Sequence, residues 1–130
     1  MSKAIRQSVT FRATPHEVYE MLMDSRKHAA FTGAEASISR KVGGRVSAYD
    51  GYATGTIVAL ESDSRIVQTW RADDWPPDRV SRVTYRLVAV EGGTRLSFTQ
   101  SGVPDEYYES TKQGWIDYYW TPMKALLNKG

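Results

Sequence analysis

Between Gly114 and Met123 the chain concentrates Trp115, Tyr118, Tyr119 and Trp120 in one short segment, beside Ile116. Read as a helix, this region carries a stripe of Tyr108, Trp115, Ile116, Tyr119, Met123, Leu126 and Leu127 at spacings of three and four, with Trp120 at its flank. So much aromatic surface on one side of a helix needs a concave apolar partner, which upstream strands can supply by wrapping around it. Pro122 lacks the amide that would bond back to Tyr118 and should bend the helix, while Gly114 lowers its intrinsic stability by about 1 kcal/mol relative to alanine.

The upstream pattern is that of strands. Ile5, Val9 and Phe11 alternate with polar neighbours, with Gln7 interrupting the apolar phase. From Glu35 to Ser101, turn signals at Gly43-Gly44, Asp50-Gly51, Asp63-Ser64, Trp75-Pro76-Pro77-Asp78 and Glu91-Gly92-Gly93 separate β-rich runs, and six strands fit that spacing. In the clearest of them Ile66, Trp70, Val83, Tyr85, Leu87, Leu96 and Phe98 share one phase. Arg71, Arg82, Thr84, Arg86, Arg95, Ser97 and Thr99 share the other, as an antiparallel sheet with one solvated face requires. The segment 52–60 fits either phase, so its inner face stays unassigned.

Two short helices interrupt the strands. Thr14-Pro15-His16-Glu17 is a helix start with a capping hydroxyl, a proline without an amide to lose and a glutamate able to reach back. Val18, Tyr19, Met21 and Leu22 give this helix its apolar face, and Asp24-Ser25 caps a second one ending near Phe31-Thr32-Gly33. The order is strand, two helices, six strands and a long helix: an α+β chain read as one domain over 1–130.

Composition excludes several functions. Seventeen basic and fifteen acidic residues leave a charge of +2, too balanced to indicate nucleic acid or an anionic membrane as partner. The absence of cysteine removes disulfides, thiolate metal sites and cysteine nucleophiles, and makes the cytoplasm the expected compartment. The alternating amino end lacks the continuous apolar run of a signal peptide or membrane helix. His16 and His28 fall on the short helices, apart from each other, and are expected to be solvated; no zinc site, serine-histidine-aspartate triad or phosphate loop follows from the spacing. No cofactor, metal or catalytic residue is assigned.

Taken in order, Gly43-Gly44-Arg45-Val46-Ser47, Gly51-Tyr52-Ala53-Thr54-Gly55, Ile66-Val67-Gln68-Thr69-Trp70-Arg71, Trp75-Pro76, Gly93-Thr94-Arg95-Leu96 and Gly114-Trp115 with Tyr118-Tyr119-Trp120 resemble the START-like (SRPBCC) superfamily. Within it the chain is similar to the homologues of the activator of the 90-kDa heat-shock protein ATPase. The resemblance covers nearly the whole chain. It implies a helix-grip fold, a seven-stranded antiparallel sheet curled around a long C-terminal helix, often with a cavity between them. It also implies that a chaperone is a candidate partner. Two-domain activators carry an additional amino-terminal domain for chaperone engagement, and the chain is read as lacking that domain.

The candidate ligand-binding residues are Trp70, Tyr85, Phe98, Trp115 and Tyr119 as apolar walls, Gln68 to orient a polar group, and Trp75 at the rim of a hairpin loop. Ordinary core packing is the plainer explanation for the aromatics. Gln7, Gln68 and Gln100 each break the apolar phase of a different strand, and a buried unpaired amide costs about 1–3 kcal/mol. A shared polar pocket is one hypothesis for them, with exposed strand ends the plainer reading for Gln7 and Gln100. The leading function is a non-enzymatic domain that holds a small hydrophobic or amphipathic molecule between sheet and helix. A chaperone-interaction module is the first alternative. A cyclase- or dehydratase-like enzyme using Tyr85 or Tyr119 is the second, weakened by the lack of a matched acid–base pair.

Overall fold

The computed structural model describes residues 4–127. Strand β1 (Ile5–Phe11) leads into α1 (Pro15–Met23) and α2 (Ser25–Thr32). Six strands follow: β2 (Ser37–Ile38), β3 (Arg45–Ala48), β4 (Ala53–Glu61), β5 (Arg65–Ala72), β6 (Ser81–Val90) and β7 (Gly93–Ser101). A 3-10 turn (Asp105–Tyr107) then opens a helix in three contiguous parts: α3 (Tyr108–Trp115), a π-helical turn (Ile116–Trp120) and α4 (Thr121–Leu127).

The seven strands form one antiparallel sheet in the order β1-β7-β6-β5-β4-β3-β2. This is the helix-grip arrangement expected from the sequence. Ile66, Trp70, Val83, Tyr85, Leu87, Leu96 and Phe98 are all buried, whereas Arg82, Arg86 and Arg95 on the opposite phase are exposed. Each buried leucine, isoleucine or phenylalanine contributes roughly 1.5–3 kcal/mol relative to leaving it in water.

The unassigned segment owes its mixed pattern to a bulge. Ile57 pairs with Gln68 but Ala59 pairs with Val67, so Val58 is an extra residue in β4. Ala53 and Ile57 are buried before the bulge, and Leu60 packs on the core after it. Gly55 is required by close approach, since a Cβ there would lie 1.8 Å from the Thr69 carbonyl oxygen.

Helix α1 starts as read. The Thr14 hydroxyl accepts from the Glu17 amide at 3.1 Å and the Glu17 carboxylate accepts from the Thr14 amide at 2.9 Å. The Asp24 carboxylate accepts from the amides of Arg26 and Lys27, and Gly33 closes α2 in the left-handed conformation.

The long helix departs from the expected stripe. Its buried face is Trp115, Tyr119, Trp120 and Met123, while Ile116 and Leu126 are 38% and 41% exposed. The cause is the π-helical turn, in which the Thr121 amide donates to the Ile116 carbonyl five residues back. The extra residue in that turn rotates the following side chains, bringing Trp120 onto the sheet and turning Leu126 away. Pro122 sits just beyond it. With no amide at Pro122, the Tyr118 carbonyl takes a different donor, the Tyr49 hydroxyl at 2.8 Å.

The glutamines explain how the helix is fastened. Gln100, fully buried, accepts from Trp115 Nε1 at 2.7 Å and donates to Ser81 Oγ at 2.9 Å, which in turn donates to the Trp70 carbonyl at 2.6 Å. Gln7 accepts from Trp120 Nε1 at 2.6 Å and donates to the Lys112 carbonyl at 2.9 Å. Gln68 donates only a long bond, 3.4 Å, to the Thr69 carbonyl. Thus the hypothesised shared pocket does not form: Gln100 is buried, and Gln7, half-buried in the middle of β1, is bonded to the helix. They break the apolar phase because the helix brings two indole N–H groups that need acceptors inside the core.

Candidate functional site

An open cleft of about 470 Å³ lies beside the helix, where it passes the β3–β4 end of the sheet. On the sheet side the walls are Tyr49, Tyr52 and Trp70. On the helix side Tyr107 and the Trp115, Tyr118 and Tyr119 rings enclose a strip of small residues, Ser110, Thr111 and Gly114. The small residues make the room: a Cβ added at Gly114 would meet only Tyr118 Cδ2, at 3.8 Å.

Tyr49 is placed by an unusual turn. Tyr49 and Asp50 adopt φ of 52° and 57°, in the left-handed region, and Gly51 follows at 93°. Such a conformation costs a bulky residue about 1–3 kcal/mol and persists only where neighbours enforce it. Here Asp50 is clamped to Glu35, whose carbonyl accepts from the Asp50 amide at 3.1 Å and whose amide donates to the Asp50 carboxylate at 2.8 Å. The result throws the Tyr49 ring against Tyr118 and Tyr119, at centroid distances of 5.6 and 6.2 Å, with its hydroxyl on the carbonyl that Pro122 leaves available.

The opposite wall is braced from behind. Trp75 is buried against Trp70 at 5.3 Å and Tyr107 at 6.3 Å. Arg71 pins that loop by donating to the carbonyls of Trp75 and Pro76. Asp74 accepts from two tyrosines of the lining, through its carboxylate from Tyr52 at 3.2 Å and through its carbonyl from Tyr107 at 2.9 Å.

At the inner end, Tyr119 meets His28. Their hydroxyl and Nε2 are 2.9 Å apart, and His28 Nδ1 lies 3.3 Å from the Leu22 carbonyl. A carbonyl only accepts, so Nδ1 carries the proton, and in the neutral ring Nε2 accepts the proton of Tyr119. His28 was expected to be solvated. Instead it is 4% exposed, packed on Phe31 and Tyr119, and burial lowers its pKa to about 4. The misreading has a physical source, because α2 is so short that one buried histidine beside Phe31 leaves no legible apolar face. Burial raises the pKa of Tyr49 and Tyr119, and that of Tyr52 to about 12 with Asp74 adding to the effect. All three phenols are therefore protonated at neutral pH.

A family model described as Activator of Hsp90 ATPase homolog 1-like protein matches residues 12–128. The chain belongs to that family. Among its curated relatives, an activator of 90 kDa heat shock protein ATPase homolog from Dictyostelium discoideum is 32% identical over 88% of this chain and 30% of its own length. Homolog 1 from Homo sapiens is 31% identical over 93% of this chain and 36% of its own. The chain thus spans about a third of the curated relatives it matches. An HSP90 activator from Plasmodium falciparum has the same fold, with a TM-score of 0.89 at 23% identity over 96% of each chain. A protein from Chromobacterium violaceum follows with a TM-score of 0.82 at 25% identity over 98% of each.

In this Hsp90-activator-like domain the residues singled out from sequence fall into two groups. Trp70, Trp115 and Tyr119 line the cleft. Tyr85 and Phe98 pack under Trp115, at 6.1 and 4.4 Å, within the core. Gln68 is buried on β5 away from the lining, and Trp75 backs Trp70. The lining residues that sequence reasoning passed over are Tyr49, Tyr52, Tyr107 and Tyr118 with the small strip between them. A signal existed: Tyr107, Ser110 or Thr111, Gly114 and Tyr118 recur at helical spacing, a second face on which small residues leave a gap. Among the described residues no group of three His, Asp or Glu side chains is placed to hold a metal. No helix among them is long and apolar enough to cross a membrane.

Proposed function

We propose that this domain is a cytoplasmic binding module that takes a small hydrophobic or amphipathic molecule into the aromatic cleft beside the C-terminal helix. The observation that carries this reading is the cleft itself. Its volume of about 470 Å³ falls within the roughly 300–1,000 Å³ of small-molecule sites. Gly114 keeps open a gap that an alanine or leucine would narrow. Trp70, Trp115 and Tyr119 supply contact area, with Trp75, Tyr85 and Phe98 holding their rings in place and Gln68 too deep to touch a ligand without a shift. Burial of the ligand's apolar surface drives binding at about 25 cal/mol per Å², less the costs of association. No covalent step is involved.

Native and denaturing mass spectra of the protein purified from its source provide the test. The expected result is a non-covalent adduct that disappears on unfolding and is missing from Gly114→Leu, whose side chain occupies the gap. An adduct that persists undiminished in Gly114→Leu would move the site elsewhere. A wild-type protein that carries none, and whose tryptophan emission does not respond to a library of amphipathic compounds, would sink the reading.

Family membership favours a second reading, engagement of the 90-kDa heat-shock chaperone, since the relatives are named as homologs of an activator of its ATPase. Under it, the purified domain is retained by the immobilised chaperone in at least one nucleotide state. Absence of retention both with and without ATP would remove it for this domain.

A further inference from the structure

If the cleft is a ligand site, its hydrogen-bond polarity narrows the class of ligand. The four phenol hydroxyls fixed around it all give their protons to the protein. Tyr49 donates to the Tyr118 carbonyl, Tyr107 to the Asp74 carbonyl and Tyr52 to the Asp74 carboxylate. Tyr119 donates to His28 Nε2, because His28 has committed its own N–H to the Leu22 carbonyl. The Trp115 indole N–H is likewise taken, by Gln100, and Ser110 donates to the Tyr107 carbonyl.

What such groups offer a guest is oxygen lone pairs and ring faces, both electron-rich. Few donors are left: the hydroxyls of Thr111 and Tyr118, which can turn either way, and the Trp70 indole N–H. The lining has no lysine, arginine or histidine to receive an anion. Behind it stand the Asp74 carboxylate, which accepts from Tyr52, and the Arg71 guanidinium, which is occupied by the carbonyls of Trp75 and Pro76. Walls of tyrosine and tryptophan rings attract cations whose hydration shell is weak.

We propose that the cleft selects organic cations, an alkylated ammonium carried on an apolar body. The ammonium would sit among the Tyr49, Trp70 and Tyr119 rings, with the apolar body along the Gly114 gap. A carboxylate-bearing ligand of the same size would meet lone pairs and no counter-charge.

Three soluble phenols separate this inference from the binding function it rests on: 3-hydroxyphenyltrimethylammonium, its neutral isostere 3-tert-butylphenol, and the smaller, anionic 3-hydroxybenzoate. Titrations followed through the indole N–H resonances of the full chain would give the three affinities. The expected result is binding of the ammonium at least ten-fold tighter than of either other probe, and loss of that binding in Gly114→Leu. If the neutral phenol or the carboxylate binds as well as the ammonium, the cleft is a ligand site without cation preference, and this inference falls alone. Ammonium binding unchanged in Gly114→Leu would place it outside the cleft and overturn the inference too. If no probe binds at millimolar concentration, the inference fails together with the reading beneath it.

Discussion

Trp115→Ala should lower the free energy of unfolding by about 3–5 kcal/mol, the upper range for truncating a buried aromatic. Trp115 is the point where the helix meets the sheet. Its ring lies 4.4 Å from Phe98, 4.5 Å from Tyr119, 5.5 Å from Trp70 and 5.8 Å from Trp120, so its removal strips contacts from both layers at once. It also leaves the Gln100 amide oxygen buried with no donor, a cost of about 1–3 kcal/mol if nothing relaxes to meet it. Against a total stability of about 5–15 kcal/mol for a typical domain, that loss removes a large fraction of the whole. Gln100→Leu isolates the polar part: the volume is nearly kept while the indole loses its acceptor, and the expected loss is about 1–3 kcal/mol. Urea titrations of both variants decide the matter. A Trp115→Ala loss below about 1.5 kcal/mol would mean that the helix is fastened elsewhere.

Acid should weaken the protein through His28. Burial lowers the pKa of this ring from its ordinary 6.5 to about 4 in the fold. Between those two pH values the unfolded chain binds a proton that the folded chain refuses. The contribution is thus complete above pH 6.5, declines as pH falls, and is exhausted near pH 4. At about 1.4 kcal/mol for each pH unit crossed, it amounts to roughly 3 kcal/mol. His28→Gln keeps an acceptor for the Tyr119 hydroxyl and a donor for the Leu22 carbonyl but does not titrate. Comparing the two proteins by urea denaturation at pH 7 and pH 4.5 cancels the carboxylates common to both. The wild type is expected to lose more stability than the variant over that interval; parallel losses would show that His28 is not buried in its neutral form.

The fold was legible because alternation along β6 and β7 holds apart from Gln100 and survives in β5 despite Val67 and Gln68, and because Thr14-Pro15-His16-Glu17 states a helix start in local chemistry that no tertiary contact overrides. The bulge at Val58 was not legible, since an extra residue appears only as a loss of pattern. The candidate site was half legible for a related reason. Trp70 and Trp115 announce themselves by size, whereas a cleft is made by what is missing, here the side chain of Gly114 and the short ones of Ser110 and Thr111. Tyr49 was hidden for a different reason. Its position depends on a left-handed backbone enforced by Glu35 and on a carbonyl released by Pro122, partners 14 residues before it and 73 after it in the sequence.

The pairing of β1 with β7 sets when this chain can fold. Ile5 finds its partner only at Gln100, and Gln7 waits for Lys112 and Trp120, so the first strand stays single while most of this domain is synthesised. Helix α1 covers part of the sheet, but the rest of its inner face has no cover until the tryptophans of the long helix emerge. Folding is therefore a commitment of the nearly complete domain, slow as distant pairings are, and the interval before it is when a nascent domain of this design most needs protection from its neighbours.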